Sequence, residues 1–161
     1  MNKDEFCQYV LDCYKPAESL LRMVPADKLN WKPGPTFMSL GQLICHLSGG
    51  VGSDLGVLVS GTWPSAEEME KAMRPENIPA CGVEEALGKL ERDKTTLRVV
   101  LSHITEDDFA NRVVSVPWGW RSKMERMALD FREHFVNHKM QLFTYLKLLG
   151  VPVNTATLYF G

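Results

Sequence analysis

The sequence predicts an all-α fold, a four-helix bundle with one long crossover connection. Three observations predict it. First, Met124, Ala128, Phe131, Phe135, His138, Leu142, Tyr145 and Leu149 recur in alternating steps of four and three. That period of 3.5 keeps one face of a helix against its partners. Second, three earlier segments carry apolar stripes at helical spacing. Third, the helix ends are marked: Ser39 and Gln42 form a Ser-x-x-Gln capping box, and Gly150 is a C-terminal stop.

Taken in order, Phe6, Val10, Tyr14, Ala17, Leu21 and Val24 predict a helix from about Asp4 to Met23. Pro16 lies inside it and removes one backbone donor, so a kink near Asp12 to Lys15, or a division into two short helices, is expected. Pro25 to Pro35 is a connection. The second helix is expected to run through SLGQLICHLSGGVGSDLGVLVSG, with Leu40, Leu43, Leu47, Val51 and Leu58 as its stripe and His46 beside it. Its glycines each weaken a helix by up to ~1 kcal/mol relative to alanine. They imply either something seated close to the backbone or a tight helix crossing. Asp54 falls within the stripe and is expected to pair with a basic side chain.

Trp63 to Pro79 reads as a loop with a helical segment from Ser65 to Met73. Val83, Leu87, Leu90, Leu97, Leu101 and Ile104 mark a third helix from Val83 to about His103, a histidine placed where a structural or solvent-exposed role is expected. Thr105 to Trp120 is the crossover. Thr105 with Asp107 and Asp108 suits a capped turn, and Arg112 to Pro117 suits a brief extended piece or hairpin arm. Trp118 and Trp120 either wall a pocket or cap the end of the bundle. The tail after Gly150, VPVNTATLYFG, reads as extended.

A chain of 161 residues with 45% hydrophobic and 24% charged residues fits one domain spanning 1–161. The net charge of −2 offers no basic surplus for a phosphate backbone, so nucleic acid is not expected as a partner. No apolar run reaches the ~18 residues of a membrane span, and the N-terminus lacks a signal-peptide core. A cytoplasmic protein without a membrane partner is expected. Its four cysteines, Cys7, Cys13, Cys45 and Cys81, are then reduced, with Cys45 a small packing residue despite its neighbour His46. The outward faces of the bundle allow a homodimer.

The chemistry-bearing residues are histidines. His134 and His138 stand one turn apart, roughly 6 Å along a helix axis. Two rings so placed can converge on one ion. Asp130, one turn earlier, is placed to orient a ligating ring. His46 supplies a third ligand from another helix. Three protein ligands leave the fourth tetrahedral position for water or substrate, the pattern of a catalytic zinc site. No Gly-rich phosphate loop or G-x-S-x-G elbow occurs.

Trp31-x-Pro33, Ser39-Leu40-Gly41-Gln42-Leu43 leading to His46-Leu47, and His134-x-x-x-His138 with Gln141-Leu142 and Leu148-Leu149-Gly150 resemble the DinB-like superfamily over nearly the whole chain. The resemblance implies a four-helix bundle holding a divalent ion, zinc or nickel, on His46, His134 and His138. It also implies kinship with thiol-dependent enzymes, including bacillithiol transferases and mycothiol-dependent maleylpyruvate isomerase. The chain departs from the family pattern in the glycine-rich SGGVGSDLG that follows His46.

The leading functional expectation is a metal-dependent thiol transferase that joins a low-molecular-weight thiol to a small electrophilic substrate. The ion would stabilise the thiolate. The alternatives are a metal-dependent hydrolase, with Asp130 or Glu133 as base, and a non-enzymatic metal- or ligand-binding stress protein.

Overall fold

In the computed structural model, which describes residues 1–161, eight α-helices and one small hairpin follow in the order α1 (Lys3–Arg22), α2 (Leu40–Leu47), α3 (Gly50–Ser60), α4 (Ala66–Ala72), α5 (Val83–Ser102), α6 (Glu106–Asn111), β1 (Val113–Ser115), β2 (Arg121–Lys123), α7 (Met124–Leu148) and α8 (Thr155–Tyr159). The bundle is α1, the α2–α3 pair, α5 and α7. Here α3 packs on α5 and α7, α1 on α5 and α7, and α2 on α7 and α5. The strands pair antiparallel, with Val114 opposite Ser122. No single helix is long and apolar enough to cross a membrane.

The predicted stripes face the interior. Phe6, Val10, Tyr14, Ala17, Leu21 and Val24 of the first segment are all buried, as are Leu40, Leu43, Leu47, Val51 and Leu58. In α7, Met124, Ala128, Phe131, Phe135, Leu142 and Tyr145 join the same core of 36 buried residues. The long crossover is found, and it carries the capped turn at Thr105, now α6, and the hairpin arm. The segment after Ser65 is helical, with a Ser65–Glu68 capping box. Pro16 does not divide α1, which runs as one helix with the Pro16 ring buried.

Two expectations about helices are corrected. The second helix is not continuous: α2 and α3 are separate and bent by 55°. Gly50 sits at the break with φ of +70°, a conformation that costs other residues ~1–2 kcal/mol. The tail is not extended throughout. Asn154 and Thr157 cap each other reciprocally, and α8 follows. Leu158 is buried, and the Lys139 ammonium donates to its carbonyl at 3.0 Å. A polar capping pair outweighed the β-branched composition of that stretch.

The break is held by a buried carboxylate. The opening N–H groups of a helix have no partner within the helix, and those of α3 find partners on other helices. Asp93 of α5 accepts from the Gly52 and Ser53 N–H groups at 2.8 and 2.7 Å, and from the Ser53 hydroxyl at 2.6 Å. The Tyr14 hydroxyl of α1 accepts from the Val51 N–H at 2.7 Å and donates to Asp93 at 2.5 Å. The negative charge of Asp93 also opposes the positive end of the helix dipole.

This contact accounts for two of the glycines. A Cβ on Gly50 would lie 2.3 Å from Asp93 Oδ2. One on Gly52 would lie 2.5 Å from the Asp93 carbonyl and 2.6 Å from the Leu97 nitrogen. At Gly52 the close approach is the α3–α5 crossing itself.

Gly52→Ala is expected to lower stability by about 1–3 kcal/mol through overpacking against backbone. Tyr14→Phe is expected to cost about 1–3 kcal/mol, because the Val51 N–H is left buried and unpaired. Urea unfolding midpoints measure both; an unchanged midpoint in either variant contradicts this account of the break.

Candidate metal centre

Two helices meet where the predicted histidines stand. His46 is in the last turn of α2, while His134 and His138 share one face of α7. The structure brings all three together: one nitrogen of each ring lies within 4.8 Å of the others. The Nε2 atoms of His46 and His134 are 3.2 Å apart. Tetrahedral ligands with bonds of about 2.0–2.1 Å stand ~3.3 Å from each other, so this spacing is that of two ligands of one ion. The rings are nearly perpendicular, at 83–88°, so their nitrogens meet edge to edge without stacking.

The donor set fits a divalent cation chemically as well. A ligating imidazole must be neutral. His46 is pushed down to about 4, first by the protein withdrawing water from the ring, then by His138 and His134. His134 is lowered by burial and by His138. His138 Nδ1 is 3.0 Å from Gln141 Oε1. In that contact the ring N–H donates to the amide oxygen and leaves Nε2 free as a ligand. Gln141 Nε2 donates in turn to the Tyr145 hydroxyl at 3.3 Å, and that hydroxyl donates to the Met38 carbonyl at 3.1 Å.

In the structure it is Gln141, and not Asp130, that is hydrogen-bonded to one of the three rings. Asp130 makes no hydrogen bond to a histidine ring; its carboxylate is tied to Arg126 at 2.9 Å, one helical turn away. The i, i+4 attraction of a guanidinium was the stronger local pull.

Asp54 also departs from expectation. It pairs with no basic side chain. The break swings α3 so that this half-buried carboxyl borders a recess of 140 Å³ together with His46, His134 and His138. Burial, and after it the charge of Asp93, push it up to about 6. Of the remaining candidates, His103 is exposed, with Nδ1 2.7 Å from the Val99 carbonyl. Cys45 is buried and borders neither cavity, but it is not solely a packing residue: the Lys89 ammonium contacts its sulfur at 3.0 Å. All four cysteines are unpaired.

A larger cavity of 600 Å³ adjoins the recess and shares His46, Asp54, Phe131 and His134 with it. Trp63, Trp118 and Trp120 line it, as do Met69 and Met73 from α4 and Met127 from α7. The hairpin tryptophans thus wall a pocket. Helix α4 has no buried residue; it lays Ala66, Met69, Glu70 and Met73, at positions i, i+3, i+4 and i+7, along the cavity.

The shifted groups set a pH dependence for the metal-free protein. His46 and His134 charge less readily folded than unfolded. Their contribution is complete above the ordinary value of 6.5 and is lost as pH falls, through about 4 for His46. Asp54 acts in the opposite sense. Its contribution is complete below 3.8 and is lost as pH rises through about 6, so its ionised form weakens the fold at neutral pH. Thermal unfolding should therefore show His46→Gln flattening the acid loss between pH 6.5 and 4. Asp54→Asn should leave stability at pH 7.5 equal or higher; a clear destabilisation there contradicts the assignment.

Comparison with known proteins agrees with this architecture. The family model of the DinB superfamily matches residues 13–141. A DinB-like protein from Bacillus subtilis, YjoA, superposes with a TM-score of 0.67 at 17% identity, over 92% of this chain and 96% of that one. A putative member of the DinB family from Exiguobacterium sibiricum superposes with a TM-score of 0.71 at 17% identity, over 96% of each chain. No curated protein matches the sequence. With four-fifths of its length matched and its three histidines gathered at the junction of α2 and α7, the chain belongs to the DinB superfamily.

Proposed function

We propose that His46, His134 and His138 hold a divalent metal ion, zinc or nickel, and that the protein is a metal-dependent thiol transferase. Its reaction joins a low-molecular-weight thiol to a small electrophile. The observation that carries the metal assignment is the 3.2 Å approach of two Nε2 atoms with a third imidazole beside them. The family supports the thiol chemistry.

A divalent ion held by these three rings would supply Lewis acidity that stabilises a thiolate. The residues of the chain do the rest. Gln141 fixes the His138 ring and its tautomer. Desolvation and the neighbouring rings push His46 down to about 4 and shift His134 in the same direction, which favours the neutral, ligating form. Phe131 and Met127, with the tryptophans, give the 600 Å³ cavity an apolar lining that excludes water from an organic electrophile.

The hydrolytic reading is the second one; of its named bases Asp130 lines the cavity but is paired with Arg126, and Glu133 lies outside it.

Calorimetric titration of chelator-treated, untagged protein with zinc and with nickel is expected to show one site per chain. His46→Ala and His138→Ala each abolish it. At a metal concentration 100 times Kd, the native protein gains about 2.7 kcal/mol of stability and the variants gain none. Turnover of an electrophile panel is expected only when a thiol such as bacillithiol or glutathione is added. Turnover without thiol favours hydrolysis, and full activity in His138→Ala contradicts both readings.

A further inference from the structure

We infer that the cavity beside the triad is a receptor for an organic cation, an amine or quaternary ammonium carried on an apolar body, bound at Asp54 and the tryptophans. This rests on the proposed function only in taking the cavity as the substrate site; the recognition itself needs no metal.

The first observation is aromatic. Three of the four tryptophans in the chain line this one cavity. Trp63 and Trp118 are 5.3 Å apart at 82°, and Trp118 and Trp120 are 6.4 Å apart at 76°. Mutually perpendicular indoles offer a ligand π surface from more than one direction, and tryptophan is the best cation-binding ring among the side chains. Trp118 and Trp120 stay 45% and 61% exposed. Both indoles thus keep aromatic surface available at the cavity.

The second observation is charge. Asp54, Glu70 and Asp130 line the cavity, and no lysine or arginine does. Two of these carboxylates are already neutralised from outside it: Asp130 by Arg126 at 2.9 Å and Glu70 by Arg74 at 3.4 Å. Asp54 is not. It accepts no hydrogen bond, and the charged group that influences it is another carboxylate, Asp93. An ammonium ion bound there gives Asp54 the partner it lacks, whereas a carboxylate ligand meets like charge. Met69 and Met73 of α4 supply an adaptable apolar wall for the body of the ligand.

Tryptophan fluorescence tests this on the full-length, metal-loaded protein and on the chelator-treated protein. The probes share one body and differ in charge: 4-phenylbutylamine, 4-phenylbutanol and 4-phenylbutyrate at pH 7.5. The expected result in the chelator-treated protein is saturable quenching, with the amine binding at least about tenfold tighter than the carboxylate and the alcohol between them; in the metal-loaded protein the neighbouring dication narrows that preference. Asp54→Asn is expected to weaken the amine about tenfold and leave the alcohol unchanged. Equal or tighter binding of the carboxylate overturns the inference, as does an Asp54→Asn variant that retains the amine preference. His138→Ala separates this inference from the proposed function, since it is expected to lose zinc and keep the amine preference. Absence of a zinc site in the native protein with the preference intact refutes the metal reading alone; a zinc site without the preference refutes this one alone.

Discussion

The interaction on which the rest depends is the capture of the α3 N-terminus by Asp93 and Tyr14. Three successive backbone N–H groups, those of Val51, Gly52 and Ser53, are satisfied by side chains from two other helices. A continuous helix would have bonded these groups internally to carbonyls of α2. The sequence instead places glycines where a Cβ would strike Asp93 or the α5 backbone, so the break and the cap require each other. Asp93 is only 2% exposed. A buried charge is tolerated when hydrogen bonds surround it, and here four donors do so.

That break has consequences for the site. It ends α2 one turn after Gln42-Leu43-Ile44, so His46 stands in a last helical turn beside α7. It also redirects α3 by 55°, which brings Asp54 to the same recess as the three histidines. On a straight helix, two turns would have put Asp54 roughly 12 Å along the axis from His46. The glycine-rich segment after His46 is thus what brings a carboxyl to the edge of the histidine cluster. The fold carries that carboxyl in an unfavourable state, raised in pKa by burial and by Asp93. Groups held against their own preference are characteristic of functional sites.

Much of this was legible in the sequence. The seam of α7 showed because burial on one helix face imposes a period that survives in the residue types. The histidines showed for the same reason: His134 and His138 keep the i, i+4 relation that one ion requires, and His46 lay beside an apolar stripe. The capping box at Ser39 was local and readable too. What escaped were pairings across helices. Asp93 in α5 gives no local sign that it caps α3. The glycines before Asp54 marked a weakened helix but gave neither the place nor the direction of its bend. The spacing of Asp130 suits both a ligating ring and Arg126, spacing alone does not rank them, and in the structure the carboxylate pairs with Arg126. Gln141, three residues after His138, was visible as a residue but carried no signal of its orienting role.

The cavity follows from the same economy of contacts. Helix α4 has nothing buried and the hairpin turn leaves two tryptophans exposed, so neither is spent on the core. Both instead line the space over His46, Asp54 and His134. X-ray absorption at the metal edge of untagged, zinc-loaded protein tests the central claim most directly. Three nitrogen ligands at about 2.0–2.1 Å with imidazole scattering are expected, and no such signal is expected from His46→Ala after the same loading and desalting. A spectrum dominated by sulfur or carboxylate ligands, or one unaltered in His46→Ala, contradicts the account.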